Sequence, residues 1–457
     1  MSIENYQIPI GDDVKQTMAI AWLKLGVASL VFAGLFSILL VLSRTPAIQE
    51  MIPFTDFFHV ALVVHVDLSV LIWFVSFAGV LWSLSSKGAA NALDKTAIVL
   101  AVLGTVIITV APFLGVGNPL MNNYIPILDH PLYIGGLMIF AAGMVVQIVR
   151  RILSGMPPFS KLLSSPSHAN ALDVGVYVSA WVALFSILAL VASYVLIPAS
   201  LEGTGFYEIL FWGGGHILQF THTVLLLVAW FWTASACGVD IKLSPKIAVW
   251  LFILVVAPVM ISPWIYVQYD VLSGEHRLAY TDLMKYGGLA SMPLGLAVVW
   301  GILTSSRCPE DKKPVKAALL SSIVLFAAGG IIGFMIEGVN VVIPAHYHGS
   351  IVGVTLAFMG LAYHLLPVFG FSKPTSKVAH WQPYVYGVGQ LLHIIGLAWS
   401  GGYGVQRKTA GAAQGLENFP EIAGMALMGA GGAISIVGGI LFVVVMIKAF
   451  MRPTQND

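Results

Sequence analysis

Val341-Val342-Ile343-Pro344-Ala345-His346-Tyr347-His348-Gly349 sets two histidines two residues apart at the start of a long apolar stretch. Two residues on an α-helix is roughly 200° of rotation, so the two imidazoles point to opposite sides. One helix can then serve a metal on each flank. His65 and His216, each inside a different apolar stretch, are available for the remaining contacts. The pattern reads as a redox site inside a membrane.

Composition supports that setting. Of 457 residues, 58% are hydrophobic and 9% charged, against about 25% charged in soluble domains. Stretches long enough to span a bilayer run over 18–43, 54–83, 96–117, 128–149, 172–198, 206–235, 244–265, 278–305, 315–336, 346–370, 383–404 and 421–449. The expected fold is all-α: a polytopic membrane bundle of about twelve helices over 18–449. A polar segment, 1–17, precedes it and a polar tail, 450–457, follows. With both termini inside, sixteen lysines and arginines fall on inner segments. Only Arg44, Arg277, Arg407 and Lys408 fall outside, a strong positive-inside bias. No cleavable signal peptide is visible. Cys237 and Cys308 both fall at inner helix ends, which argues against a disulfide framework. A net charge of +1 gives no reason to expect nucleic acid.

The histidines share a depth. The second, sixth and tenth spans all run inward, and they bring His65, His216, His346 and His348 to the outer half of the membrane. A single intramembrane histidine often only bonds a neighbouring helix, but four at one level point to function. Imidazole is a common axial ligand of haem iron. Two histidines saturate an iron and make an electron carrier; one leaves a position open for a diatomic gas. His65 with one of the tenth-span pair builds the saturated site, and the other member of the pair builds the open one.

These residues resemble subunit I of the haem–copper oxidase superfamily, which includes cytochrome c oxidases and nitric oxide reductases. The likeness covers the whole chain. His65-Val-Asp-Leu-Ser-Val-Leu-Ile-Trp73 resembles the family's low-spin haem helix, and Trp212-Gly-Gly-Gly-His216-Ile-Leu-Gln219-Phe220 its copper helix. His346-Tyr347-His348 resembles its paired haem-ligand helix. Gly401-Gly-Tyr-Gly-Val-Gln-Arg407-Lys408 is similar to its segment near the haem propionates. The resemblance implies two haems: a low-spin one on His65 and His348, and a high-spin one on His346. Arg407 and Lys408 would pair with propionates. It also implies a bacterial or archaeal cytoplasmic membrane and both termini cytoplasmic.

The chain departs from the family at the copper. Tyr266 and Val267 stand where an adjacent His-His pair belongs, and His276 lies further along. A three-histidine copper site is not supported. His216 is left with oxygen donors such as Gln268 or Asp270, which favour a harder ion such as iron, or with no second metal. Phe220 occupies the position, four after the helix-six histidine, where many oxidases carry tyrosine and NO reductases often carry glutamate. His222 is rotated off the His216 face and reads as a packing histidine. Asp282 and Lys285, three apart, can pair on one helix face. Asp67 lies two residues after His65 and Glu337 ends the ninth span on the outer side, and no acidic string climbs from the inner side.

Three functions remain open on these residues: a dihaem subunit that reduces a diatomic gas, with NO favoured by Phe220; an O₂-reducing oxidase with a rebuilt metal site; or a copper-less haem electron-transfer or gas-sensing subunit. Neither a Cys-x-x-Cys-His haem-c motif nor a Cys-rich copper motif is present. Electrons would come from an outer-face partner, cytochrome c-type or cupredoxin-like, or from quinol.

Overall fold

The chain is seen in a computed structural model that describes residues 6–11, 13–46, 48, 57–88, 91–115, 117–305 and 308–452. Parts of the expected terminal segments, the start of the 54–83 span, Val116 and Arg307 lie outside the described residues. The fold is all-α. Its long helices are α1 (Lys15–Leu42), α2 (Phe57–Ser85), α3 (Ala92–Leu114), α4 (Pro131–Leu153), α5 (His168–Leu196) and α6 (Gly203–Ala236). They continue with α7 (Pro245–Gln268), α8 (Gly274–Thr304), α9 (Glu310–Phe334), α10 (Val342–Val368), α11 (Lys377–Gly401) and α12 (Phe419–Phe450).

Among the described residues, eleven of these are long and apolar enough to cross a membrane. The exception is α11, which fills the expected eleventh span but carries Lys377, His380, Gln382, Gln390 and His393. Those polar residues lower its hydropathy, and two of them, Gln382 and His393, are buried against neighbours. Polar residues that face protein, not lipid, are tolerated in such helices.

The chain folds as two compact units, Met1–Gly26 with Leu71–Arg307, and Val27–Val70 with Cys308–Asp457. The division falls inside α1 and α2.

In the second unit α9 packs on α10 and α11 on α12. Both pairs are zipped by small residues. A Cβ at Gly349 would lie 2.6 Å from the Gly329 Cα, and one at Gly389 would lie 2.6 Å from the Ser435 nitrogen. Apolar surface gives little drive for helix pairing in lipid, so close backbone approach through small residues takes its place. Gly424, Gly431 and Gly438 continue the α12 side of that seam against Gly396, His393 and Tyr386.

The first unit pairs α3 with α4 and α5 with α6. Two ion pairs, the first buried and the second half-buried at its carboxylate, tie its helix ends: Arg150 to Asp94 at 3.0 Å and Arg151 to Asp173 at 2.6 Å. Asp282 and Lys285 are both exposed, and the Lys285 ammonium stands 5.6 Å from the Tyr286 ring centroid.

Two local departures from plain helix matter for the site. After His65, α2 changes to a π-helical segment, Asp67–Ile72; such segments often mark functional positions. Between α3 and α4 a short hairpin forms, β1 (Asn118–Leu120) antiparallel to β2 (Ile127–Asp129). No strand is expected from the sequence there. The Asn122 side-chain oxygen Oδ1 accepts from the backbone N–H of Tyr124 and of Ile125, each at 2.9 Å. This Asx turn fixes the hairpin tip and aims Tyr124.

Candidate functional site: histidines with one ring nitrogen held

Each of the four histidines that the sequence brings to one depth has Nδ1 on a backbone carbonyl. In the second unit His65 Nδ1 meets the Ala33 oxygen at 2.9 Å, His346 the Gly329 oxygen at 2.7 Å, and His348 the Pro344 oxygen at 2.8 Å. In the first unit His216 meets the Trp212 oxygen at 2.8 Å. A carbonyl only accepts, so Nδ1 carries the proton and Nε2 keeps its lone pair. Metal-ligating histidines are held in this way by their second shell.

The sequence explains why the carbonyls are there. His348 and His216 donate four residues back along their own helices. His346 reaches across to α9, where glycine clears the way: a Cβ at Gly333 would lie 2.6 Å from its Nδ1. His65 reaches the α1 backbone.

The structure adds His393, which the sequence reading missed. It is buried on α11, its Nδ1 donates to the Met428 oxygen at 3.0 Å, and its ring lies 5.0 Å from that of His348 at 48°. His348 lies within electrostatic reach of His65 and Arg44, and His393 within reach of His348 and Arg44. Three imidazoles and a guanidinium therefore share one part of the second unit. His346 faces α9 instead, as the opposed rotation on α10 requires.

Arg44 is the second residue missed; in the sequence it counts only as an outer charge. Among the described residues its Nε and Nη2 are buried without hydrogen-bond partners. Burial lowers the guanidinium from its ordinary value, and nearby Tyr347 opposes that. Tyr347 also lies within reach of Arg407. Unpaired buried donors on a cation call for an acidic ligand, and a haem propionate has that chemistry. Arg407 and Lys408 are half-buried in the loop after α11, which folds back so that Val341 N–H donates to the Val405 oxygen at 3.0 Å. Lys408 takes φ 60°, and His59 Nε2 lies 3.3 Å from its carbonyl oxygen. The donor set of the second unit fits haem: lone pairs for iron and cations for its carboxylates.

The first unit is organised around His216. Tyr124 Oη lies 2.7 Å from its Nδ1, and burial holds the Tyr124 phenol well above its usual range, with Glu208 adding to the effect. The run Gly213-Gly214-Gly215 makes room. A side chain at Gly215 would strike the Tyr124 ring, one at Gly214 the Ser186 carbonyl, and one at Gly213 the Tyr266 hydroxyl. Tyr266 Oη lies 2.8 Å from Ser193 Oγ and donates to the Ala189 oxygen at 2.8 Å. Val267 is 85% exposed. Neither supplies a nitrogen to a metal, so these positions do not fit a three-imidazole copper.

Gln268 and Asp270 are both exposed, and Asp270 Oδ1 accepts from the Leu272 N–H at 2.8 Å. His276, set aside in sequence as too distant, is fully buried with its ring 5.0 Å from Tyr266 and 5.1 Å from Tyr280. The turn after α7 brings it back. Phe220 is buried among Val182, Ile217, Val259 and Tyr280. His222 packs edge-on against Phe74 at 4.8 Å, in keeping with a packing role.

Comparison with known proteins gives the family. The family model for cytochrome c and quinol oxidase polypeptide I matches residues 17–441. The chain belongs to that family, the subunit I family of haem–copper oxidases. An uncharacterised protein of Rickettsia prowazekii (strain Madrid E) is 31% identical over 497 residues, covering 93% of this chain and 94% of the relative. Another, from Aquifex aeolicus (strain VF5), is 24% identical over 363 residues, covering 79% and 88%. A cryo-EM structure of a heme-copper terminal oxidase dimer is similar in fold, with a TM-score of 0.77 at 16% identity. The match covers 98% of this chain and 86% of that one. Membership of this family makes the protein a multi-pass membrane protein of the terminal-oxidoreductase class.

Proposed function

We propose that the chain is the haem-carrying subunit of a membrane oxidoreductase that reduces a diatomic gas, NO in preference to O₂. The observation that carries this reading is the common setting of His65, His346 and His348: Nδ1 on a carbonyl, Nε2 free. His65 and His348 would hold one iron and His346 another. Haem bound there supplies one-electron chemistry and, on His346, an open position for a gas. Arg44, Arg407 and Lys408 would neutralise the carboxylates, which otherwise could not enter a low-dielectric interior.

Phe220 supports NO over O₂. Splitting O₂ in one step draws on a nearby oxidisable phenol in many relatives, and position 220 is apolar. Coupling two NO molecules needs electrons and protons but no phenoxyl. His216 keeps a free Nε2 for a ligand, with Tyr124 fixing its ring. Electrons would arrive from an outer-face cytochrome c-type or cupredoxin-like partner, or from quinol.

A second reading, a haem electron-transfer or gas-sensing subunit, is favoured by the filled copper positions alone. Metal analysis and optical spectra with CO and NO separate the two. The proposal expects two haems per chain, one of them CO-binding when reduced, and NO turnover faster than O₂ turnover. A purified complex with fast four-electron O₂ reduction, or copper on three imidazoles, would overturn the NO assignment. A reduced protein with no CO-sensitive haem would overturn catalysis.

A further inference from the structure

The second unit holds more imidazoles than one six-coordinate haem needs. We propose that His393 is a third iron-competent ligand of the low-spin site, able to take the axial position of His348 opposite His65. The inference rests on the reading that a haem occupies this part of the chain.

His393 is prepared as the other ligands are. Its Nδ1 donates to the Met428 oxygen at 3.0 Å, which leaves Nε2 as a bare lone pair. Such a nitrogen is satisfied only by a metal or by a hydrogen-bond donor. The α11–α12 seam is cut to fit the ring: a Cβ at Gly432 would lie 3.3 Å from Nδ1, and one at Gly431 would lie 2.9 Å from the His393 Cα. The Met428 carbonyl comes within reach because Gly396 lets the two backbones close.

Its position makes it an alternative to His348. The two rings are neighbours, 5.0 Å apart, and both are anchored at Nδ1. They come from different helices, so one can be lost without unfolding the other's support. His65 comes from α2 and is the remaining partner. Exchange breaks the bond from iron to His348 Nε2 and forms one to His393 Nε2. Both nitrogens are neutral lone pairs, so no proton or electron moves.

The test compares the full chain as wild type, His348→Ala, His393→Ala and the double variant by optical and low-temperature EPR spectroscopy. The expected result is a bis-histidine low-spin haem in the wild type and in both single variants, with shifted g values in His348→Ala. The double variant should lose that species and leave a five-coordinate haem on His65, with added imidazole restoring the low-spin signal. His348→Gln, which keeps the bulk of the side chain, is read in the same way. If both His348 variants lose the low-spin haem as completely as the double variant does, the inference falls, and His393 is then a neighbour bonded to water or to the haem edge. A wild type without any bis-histidine haem would instead sink the haem assignment itself.

Discussion

Gly333→Ala is a small change with a large expected effect. The Cβ it adds would lie 2.6 Å from His346 Nδ1 and 2.7 Å from Cε1. Ordinary contact begins at 3.4 Å, so the ring must move by about 0.8 Å. His346 cannot retreat and keep its hydrogen bond, because the acceptor, the Gly329 carbonyl, is on the same helix as the intruding methyl. Losing that bond costs about 0.5–1.5 kcal/mol, and overpacking adds roughly 1–3 kcal/mol. Both costs fall on the one residue proposed to hold the gas-binding haem. The assay is the CO difference spectrum of the reduced protein, with the bis-histidine haem as internal reference. The CO-sensitive haem should be lost or strongly weakened while the reference persists. Gly330→Ala is the control: the same chemical change on the same helix, with nothing within 4 Å of the new Cβ. If the two variants behave alike, the proposed role of His346 and its α9 lock is wrong.

His65→Ala should abolish the low-spin spectrum and spare the CO-binding haem; an unchanged low-spin signal in a folded variant would refute the assignment of His65. His276→Phe should raise the apparent Tm, since among the described residues both His276 ring nitrogens are buried and unpartnered and each such group costs about 1–3 kcal/mol; a marked drop would show that the imidazole is satisfied by a bound group. Tyr124→Phe should flatten the alkaline limb of stability against pH. The Tyr124 phenol is held above its usual range chiefly by burial, so its contribution is complete below the unfolded value near 10 and is lost as pH rises above it. An identical alkaline limb in the two proteins would count against that burial.

The spacing of hydrophobic runs made the helix order legible, and the twofold offset of His346 and His348 made their divergence legible, because both follow from helical periodicity. His65 and His216 stood out because polar groups in long apolar runs are costly. His393 obeys the same rule in the 383–404 stretch, but it lies on an outward-running span, apart from the three inward-running spans that carry the other histidines. Arg44 looked like an ordinary loop charge, since nothing in sequence reveals that its Nε and Nη2 are enclosed. His276 was hidden by a turn. Residues 269–273 reverse the chain and return it to the Tyr266 ring, a path set by loop geometry and not by periodicity. The hairpin carrying Tyr124 depends on one asparagine side chain, which no hydrophobic pattern records.

The carbonyls that hold the imidazoles fall into two kinds, and the difference bears on how the protein is assembled. His348 and His216 are oriented by their own helices, so their rings are set as soon as α10 and α6 form. His65, His346 and His393 are oriented by α1, α9 and α12. Their geometry arises only when pairs of helices have met. The Met428 acceptor belongs to α12, so His393 is without it until that helix has been made. Orientation of these three rings is thereby tied to helix pairing: before the pairs meet the imidazoles are free to turn, and His393 is fixed only when α12 closes against α11.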